Sequence, residues 1–165
     1  MSRPRKIPDT EVFAAVLRLI VADGEKAVAF STVARATGLA APSLVQRYGA
    51  LPDMVKTALL GEWDRLDAAA AAAISETSAT AKGPSALLKA LSPPPSPALL
   101  AASLRDAKLR DRASDWRQRV VAALTARLGD GDVAAMVFAA WIGQGLWEGY
   151  GDKGFKVKDL IKHLG

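Results

Sequence analysis

The stretch STVARATGLAAPSLVQRY, from Ser31 to Tyr48, constrains the fold of this chain more than any other. Ser31 offers an N-cap for a short helix, its hydroxyl oxygen accepting from a first-turn N–H. Val33, Ala34 and Thr37 follow at roughly helical spacing. Gly38 takes the left-handed conformation that ends a helix cheaply. Pro42 stands where the next helix begins, a position that needs no backbone N–H. Leu44 and Tyr48 lie one helical turn apart and face a core, while Ser43, Gln46 and Arg47 project outward. Helix, glycine turn, then a helix with a polar outer face is the plan of a helix-turn-helix reader, whose second helix enters the DNA major groove.

The rest of the chain is expected to be helical as well. Half of its 165 residues are hydrophobic, much of that alanine, and aromatics make up only 6%. Alanine-rich segments with few β-branched runs favour helix over strand. The fold class is therefore read as all-α: a tri-helical, helix-turn-helix N-terminal head (1–51) on a helical-bundle C-terminal body (52–165). A net charge of +5 permits an anionic partner. Met1 to Leu51 holds seven Lys/Arg against four Asp/Glu, and the longer remainder fifteen against thirteen, so the surplus concentrates in the head.

Composition also excludes several chemistries. The chain has no cysteine, which removes disulfides, thiolate catalysis and most structural zinc sites. His163 is the sole histidine and sits beside the C-terminus. No phosphate-binding glycine loop and no catalytic grouping of carboxylates is evident, so neither an enzyme nor a metal or cofactor is expected. Charges interrupt every apolar run before membrane-spanning length, and MSRPRKIPD lacks the apolar core of a signal peptide. The expectation is a cytoplasmic protein with no membrane partner.

Along the chain, residues 2–8 read as an extended arm. Arg3, Arg5 and Lys6 can reach phosphates or a minor groove, or simply be solvated. Thr10 or Asp9 opens a first helix with Val12, Val16, Leu19 and Ile20 on its apolar stripe. Phe30 plugs the core of the short helices that follow. A long helix starts at Leu51-Pro52-Asp53, carries Met54, Val55, Leu59, Trp63 and Leu66, and continues through the alanines of 68–73 as a rigid connector. Lys82-Gly83-Pro84 breaks it before a short helix at about 85–91. Residues 92–97, SPPPSP, form a loop. Helix resumes from Ala98 to Leu128, with a possible break near Arg112 and a surface pair of Asp115 with Arg119. Asp132 caps an apolar helix that ends around Gly149 or Gly151, and a last helix spans about 157–164.

At GLAAPSLVQRYGALPDMV the sequence resembles the TetR family of bacterial transcriptional regulators. Gly38, Leu39, Leu44, Tyr48 and Gly49 match that family's turn and reading helix in register, and STVARATG matches the segment before it. The likeness covers about residues 8–60; the body matches only in being helical and variable. Ala40 departs from the family's frequent serine. Leu51 and Pro52 replace its usual lysine and glutamate, removing a common phosphate contact.

The resemblance implies a homodimer reading a partly palindromic operator on double-stranded DNA, as a repressor released by a small apolar effector. Ala41, Pro42, Ser43, Gln46 and Arg47 then occupy reading positions. Arg can pair with guanine and Gln with adenine, whereas Ala or Pro can touch a thymine methyl. Ser31 and Thr32, at a helix N-terminus, suit a phosphate, though a plain cap accounts for them equally. Met136, Ala139, Ala140, Gly143 and Trp147, with Leu160, Ile161 and Leu164, are the implied dimerisation residues. A ligand pocket in the body draws on Trp63, Leu104, Trp116, Val120, Phe138, Trp141 and Gln144, with Leu87 and Leu100 as further candidates. The competing readings are internal core for both sets. A second class of function stays open: a dimeric ligand- or partner-binding protein whose degenerate head reads no DNA.

Overall fold

The computed structural model describes residues 7–77, 83–151 and 154–164, and among these every regular element is helical. The chain divides into two compact units, 1–64 and 65–165. Arg3, Arg5 and Lys6 lie outside the described residues.

In the first unit α1 (Asp9–Asp23) begins directly after extended Pro8. Asp9 and Glu11 in its first turn complement the positive end of the helix dipole. Val12, Ala15, Val16 and Ile20 are buried, one face at helical spacing. A 3-10 turn (Glu25–Ala27) leads to α2 (Phe30–Thr37) and α3 (Ala41–Tyr48). Gly38, at φ 74°, terminates α2 in the left-handed conformation, as its place in the sequence requires. Leu44 on α3 and Val33 on α2 are fully buried. Together with Met54, Leu59 and Trp63 from the first turns of α4 (Leu51–Thr77), they form the unit's core. Burial of each such side chain contributes on the order of 1.5–3 kcal/mol.

The cap of α2 differs from expectation. The helix starts two residues early, so Ser31 is an exposed first-turn residue and Ala29 holds the cap position. Thr32 substitutes for a side-chain cap. Its Oγ1 accepts from the Ala29 N–H at 2.9 Å and lies 3.0 and 2.9 Å from the Ala27 and Ala29 carbonyl oxygens, either of which can take its proton. The branched hydroxyl folds back over the helix start, so a serine two positions from the end is not needed.

The second unit takes the remainder of α4, where Ala70 and Ala73 are buried while Ala68, Ala69, Ala71 and Ala72 face solvent. It continues with α5 (Gly83–Ala90), α6 (Pro97–Ser103), α7 (Ala107–Leu128), α8 (Gly131–Glu148) and α9 (Val157–Leu164). Helix α7 packs on α5, α6 and α8, and α9 on α5 and α8.

Three local expectations are corrected. The break between α6 and α7 falls at Leu104–Asp106, not at Arg112, because the Asp106 carboxylate accepts from the Leu109 N–H at 3.2 Å and starts a new helix. Asp130, not Asp132, caps α8, accepting from the N–H groups of Asp132 and Val133 at 2.8 and 3.0 Å. Arg119 reaches Asp67 on α4 at 2.9 Å instead of serving Asp115 within its own helix.

Arg127 ties α7 to the end of α4. It donates to its own helix at Ala123 O (2.8 Å), to Ile74 O (3.0 Å) and to Thr77 Oγ1 (3.2 Å). The last turn of α4 carries no basic residue of its own, so this guanidinium supplies the cation its carbonyls favour. Arg127→Met keeps the stem and removes the donors. A loss of about 1.5–3 kcal/mol is expected, the range for hydrogen bonds to charged groups, measured by urea denaturation.

Candidate nucleic-acid interface and ligand cleft

Helix α3 has two faces. Leu44 points into the core, and Tyr48 is half-buried with its ring 6.3 Å from Phe13. Pro42, Ser43 and Gln46 are exposed on the opposite side, while Ala41 is half-covered. Val45 is also exposed, at 45%, and belongs to this surface. Counting polar residues misses it; its helical angle beside Pro42 and Gln46 does not. The outward ridge therefore presents one amide, one hydroxyl and three small apolar groups. Those can form hydrogen bonds to base edges and contacts with thymine methyls.

Arg47 departs from the projecting arrangement expected of a reading residue. Its Nη2 donates to Ile7 O at 3.0 Å, and its Nη1 stands 3.3 Å from Asp9 Oδ1. The guanidinium lies 5.9 Å from the centre of the Tyr48 ring. The Tyr48 hydroxyl donates to the same Asp9 oxygen. Burial, then that bond to Asp9, pushes the phenol pKa up to about 12, so Tyr48 stays a protonated donor at any ordinary pH. Arg47 is thus held against the start of α1. Nothing in the local sequence signals this pairing, since its partners lie about forty residues earlier.

Of the two helix-start residues, Ser31 is exposed and available to a phosphate, whereas Thr32 is occupied by the bonds over the start of α2.

On α8, Met136, Ala139 and Trp147 are exposed, and Ala140 and Gly143 are half-covered. They recur at i, i+3, i+4, i+7 and i+11, a continuous stripe on one helical face. Met136 and Trp147 show 50% and 57% of their surface. Among the described residues a Cβ on Gly143 would meet nothing within 4 Å. On α9, Leu160 and Ile161 are half-covered; the Leu164 side chain lies outside the described residues.

The residues expected to line a pocket divide. Trp116, Val120, Phe138 and Trp141 are all buried, the three rings packed with centroids 5.9–6.3 Å apart. Trp116, Val120 and Phe138 form core, because tilted aromatic contacts at this spacing leave no space between the rings, while Trp141 packs against them and also borders a cavity. Leu104 is 70% exposed at the α6–α7 break. Trp63 is core in the first unit. Gln144 does line a cavity, of about 440 Å³, between the proline loop and α8. Its walls are Pro93, Pro94, Trp141, Gln144, Glu148 and, from α9, Val157. Gln144 Oε1 is buried and finds no hydrogen-bond partner among the described residues. The loop is seated closely: a Cβ on Gly145 would stand 2.3 Å from Pro94 Cγ, and the Trp141 indole N–H donates to Ser92 Oγ at 3.3 Å. The sequence marked the prolines as a loop but gave no sign that they wall a cavity, since that depends on a glycine fifty residues away.

No helix among the described residues is long and apolar enough to cross a membrane.

No protein-family model and no curated protein matches this chain. Among solved structures it is similar to the multidrug binding protein EbrR complexed with malachite green, at 21% identity and a TM-score of 0.65, covering 98% of each chain. It is likewise similar to EbrR complexed with proflavin, at 23% identity and a TM-score of 0.57, covering 94% of this chain and 96% of that one. The likeness runs the length of the chain and establishes a shared all-α fold.

Proposed function

We propose that this chain, whose all-α fold is that of the TetR family, is a cytoplasmic regulator that reads a palindromic operator as a homodimer and is released by a small ligand. The observation that carries this reading is the two-faced α3. A helix anchored by buried Leu44 after a left-handed Gly38 turn presents Pro42, Ser43, Val45 and Gln46 to the outside. One such ridge makes too few base contacts for a specific site, which favours a symmetric pair on two half-sites. The α8 stripe, exposed at Met136, Ala139 and Trp147 and half-covered at Ala140 and Gly143, suits pairing with a second copy.

Selection from random duplexes followed by footprinting tests this directly. An enriched palindrome is expected, with half-sites separated by about one helical repeat, roughly 34–36 Å, or a multiple of it. Recovery of no palindrome at low salt would favour a ligand-binding protein with a non-reading head.

For the ligand, the proline-walled cavity is the better seat than the packed aromatic core. Proline rings and the Trp141 edge suit an apolar or aromatic molecule, the unpaired Gln144 oxygen accepts a donor, and Glu148 on the wall suits a cation. Malachite green and proflavin, the molecules bound by the similar protein, are aromatic cations. Gly145→Ala should push the proline loop off α8. Overpacking costs about 1–3 kcal/mol, against roughly 1 kcal/mol gained from helix propensity. Proflavin fluorescence titration is expected to show weakened binding in the variant; unchanged affinity would move the ligand elsewhere.

A further inference from the structure

We propose that Asp9 is a specificity-determining residue: it engages Arg47 in the free head and withholds that cation from DNA on which the reading helix is poorly seated. The inference rests on the DNA-reading function proposed above. Arg47 is the sole basic residue of α3. In the free protein it is committed to the Asp9 carboxylate and the Ile7 carbonyl, with Tyr48 donating to the same carboxylate oxygen. Asp9 and Arg47 lie at opposite ends of the head's sequence, so only the folded head brings them together.

The pair is built to exchange. The Asp9 and Arg47 side chains keep 58% and 28% of their surface in contact with solvent, so water screens their attraction. A phosphate offers the guanidinium a charge-assisted, two-point partner of equal or greater strength. The exchange is favourable only if that phosphate is well placed, because Arg47 gives up both the carboxylate and a backbone carbonyl. Loose docking on random sequence does not place it; close docking on a matched operator does. Asp9 therefore acts on the ratio of specific to non-specific affinity, with Arg47 going to the backbone and not to a base edge.

The test is a double-mutant cycle in the full chain with Asp9→Asn, Arg47→Gln and both together. Each is titrated with a random-sequence duplex and with the selected palindrome over a salt series. Asn keeps an acceptor oxygen for Tyr48. Asp9→Asn is expected to bind the random duplex about two- to fivefold more tightly at low salt, the range of an exposed ion pair. Its salt slope should steepen by about one. The gain on the palindrome should be smaller, so the specificity ratio falls. In the Arg47→Gln background Asp9→Asn should change nothing. Equal gains in both backgrounds would mean that a lost negative charge acts on DNA at a distance, and the proposal is then wrong. No gain in either background also overturns it. Asp9→Ser, with melting curves on every variant, repeats the measurement if Asn disturbs the start of α1. Absence of any selected palindrome for the unaltered protein is a different result: it defeats the reading function itself.

Discussion

Gly143→Glu is expected to leave the chain folded, turn the proposed dimer into monomers and abolish operator binding at concentrations where the unaltered protein occupies its site. The space around Gly143 decides the first part. Among the described residues nothing lies within 4 Å of a Cβ built there, so the branch point of the new side chain has room in its own subunit. Replacing a mid-helix glycine also gains several tenths of a kcal/mol of helix propensity. The second part follows from symmetry. In a two-fold interface centred on this stripe each glutamate faces its own copy, and like charges brought together on desolvation cost several kcal/mol. Every 1.4 kcal/mol is tenfold in the dissociation constant. Loss of pairing then removes one half-site, and a single α3 retains only weak, salt-sensitive binding. Sedimentation velocity checks the first link and an operator titration the second. An unchanged sedimentation profile would sink α8 as the interface.

The second large effect separates the two faces of α3. Leu44→Ala should destabilise the head by about 2.7–5 kcal/mol, the range for leucine truncation at fully buried sites. That is a substantial part of the about 5–15 kcal/mol holding a typical domain together, so a much lower midpoint in thermal or urea unfolding is expected. Gln46→Ala, two residues on and exposed, should leave stability within about 0.5 kcal/mol. If the amide pairs with an adenine, it should instead cost about 1–3 kcal/mol on the preferred site and relax the choice at one base position. Equal losses on matched and scrambled duplexes would remove Gln46 from the set of base contacts.

The helical class, the turn at Gly38, the division of α3 into Leu44 inside and Gln46 outside, and the extent of α9 were all legible in the chain. Each depends on neighbours within one or two helical turns, where periodicity, glycine and proline have direct steric meaning. Cap positions were misread where two candidates stood close together. Asp130 and Asp132 both suit a helix start, and backbone geometry decides between them by a turn's fraction. The pocket was legible only in part: Trp141 and Gln144 border the cavity, whereas Trp116 and Phe138 lie behind it in the core. Aromatic residues look alike in a sequence whether they line a cavity or fill one, and only the close approach of Trp116 and Phe138 shows that these two fill the core.

By itself, then, the order of residues determined that the regular elements of the described residues are helices, that a glycine turn at Gly38 joins two short ones, and that the second turns Pro42, Ser43 and Gln46 outward. Local sterics and spacing are sufficient for that. Only the tertiary structure decided that Arg47 turns back to Asp9, that Arg127 closes the end of α4, and that Pro94 rests on Gly145 to wall a cavity. These contacts join residues about forty or more positions apart, and their partners are chosen by which surfaces the packed helices bring within a few ångströms, a property no short stretch of sequence carries.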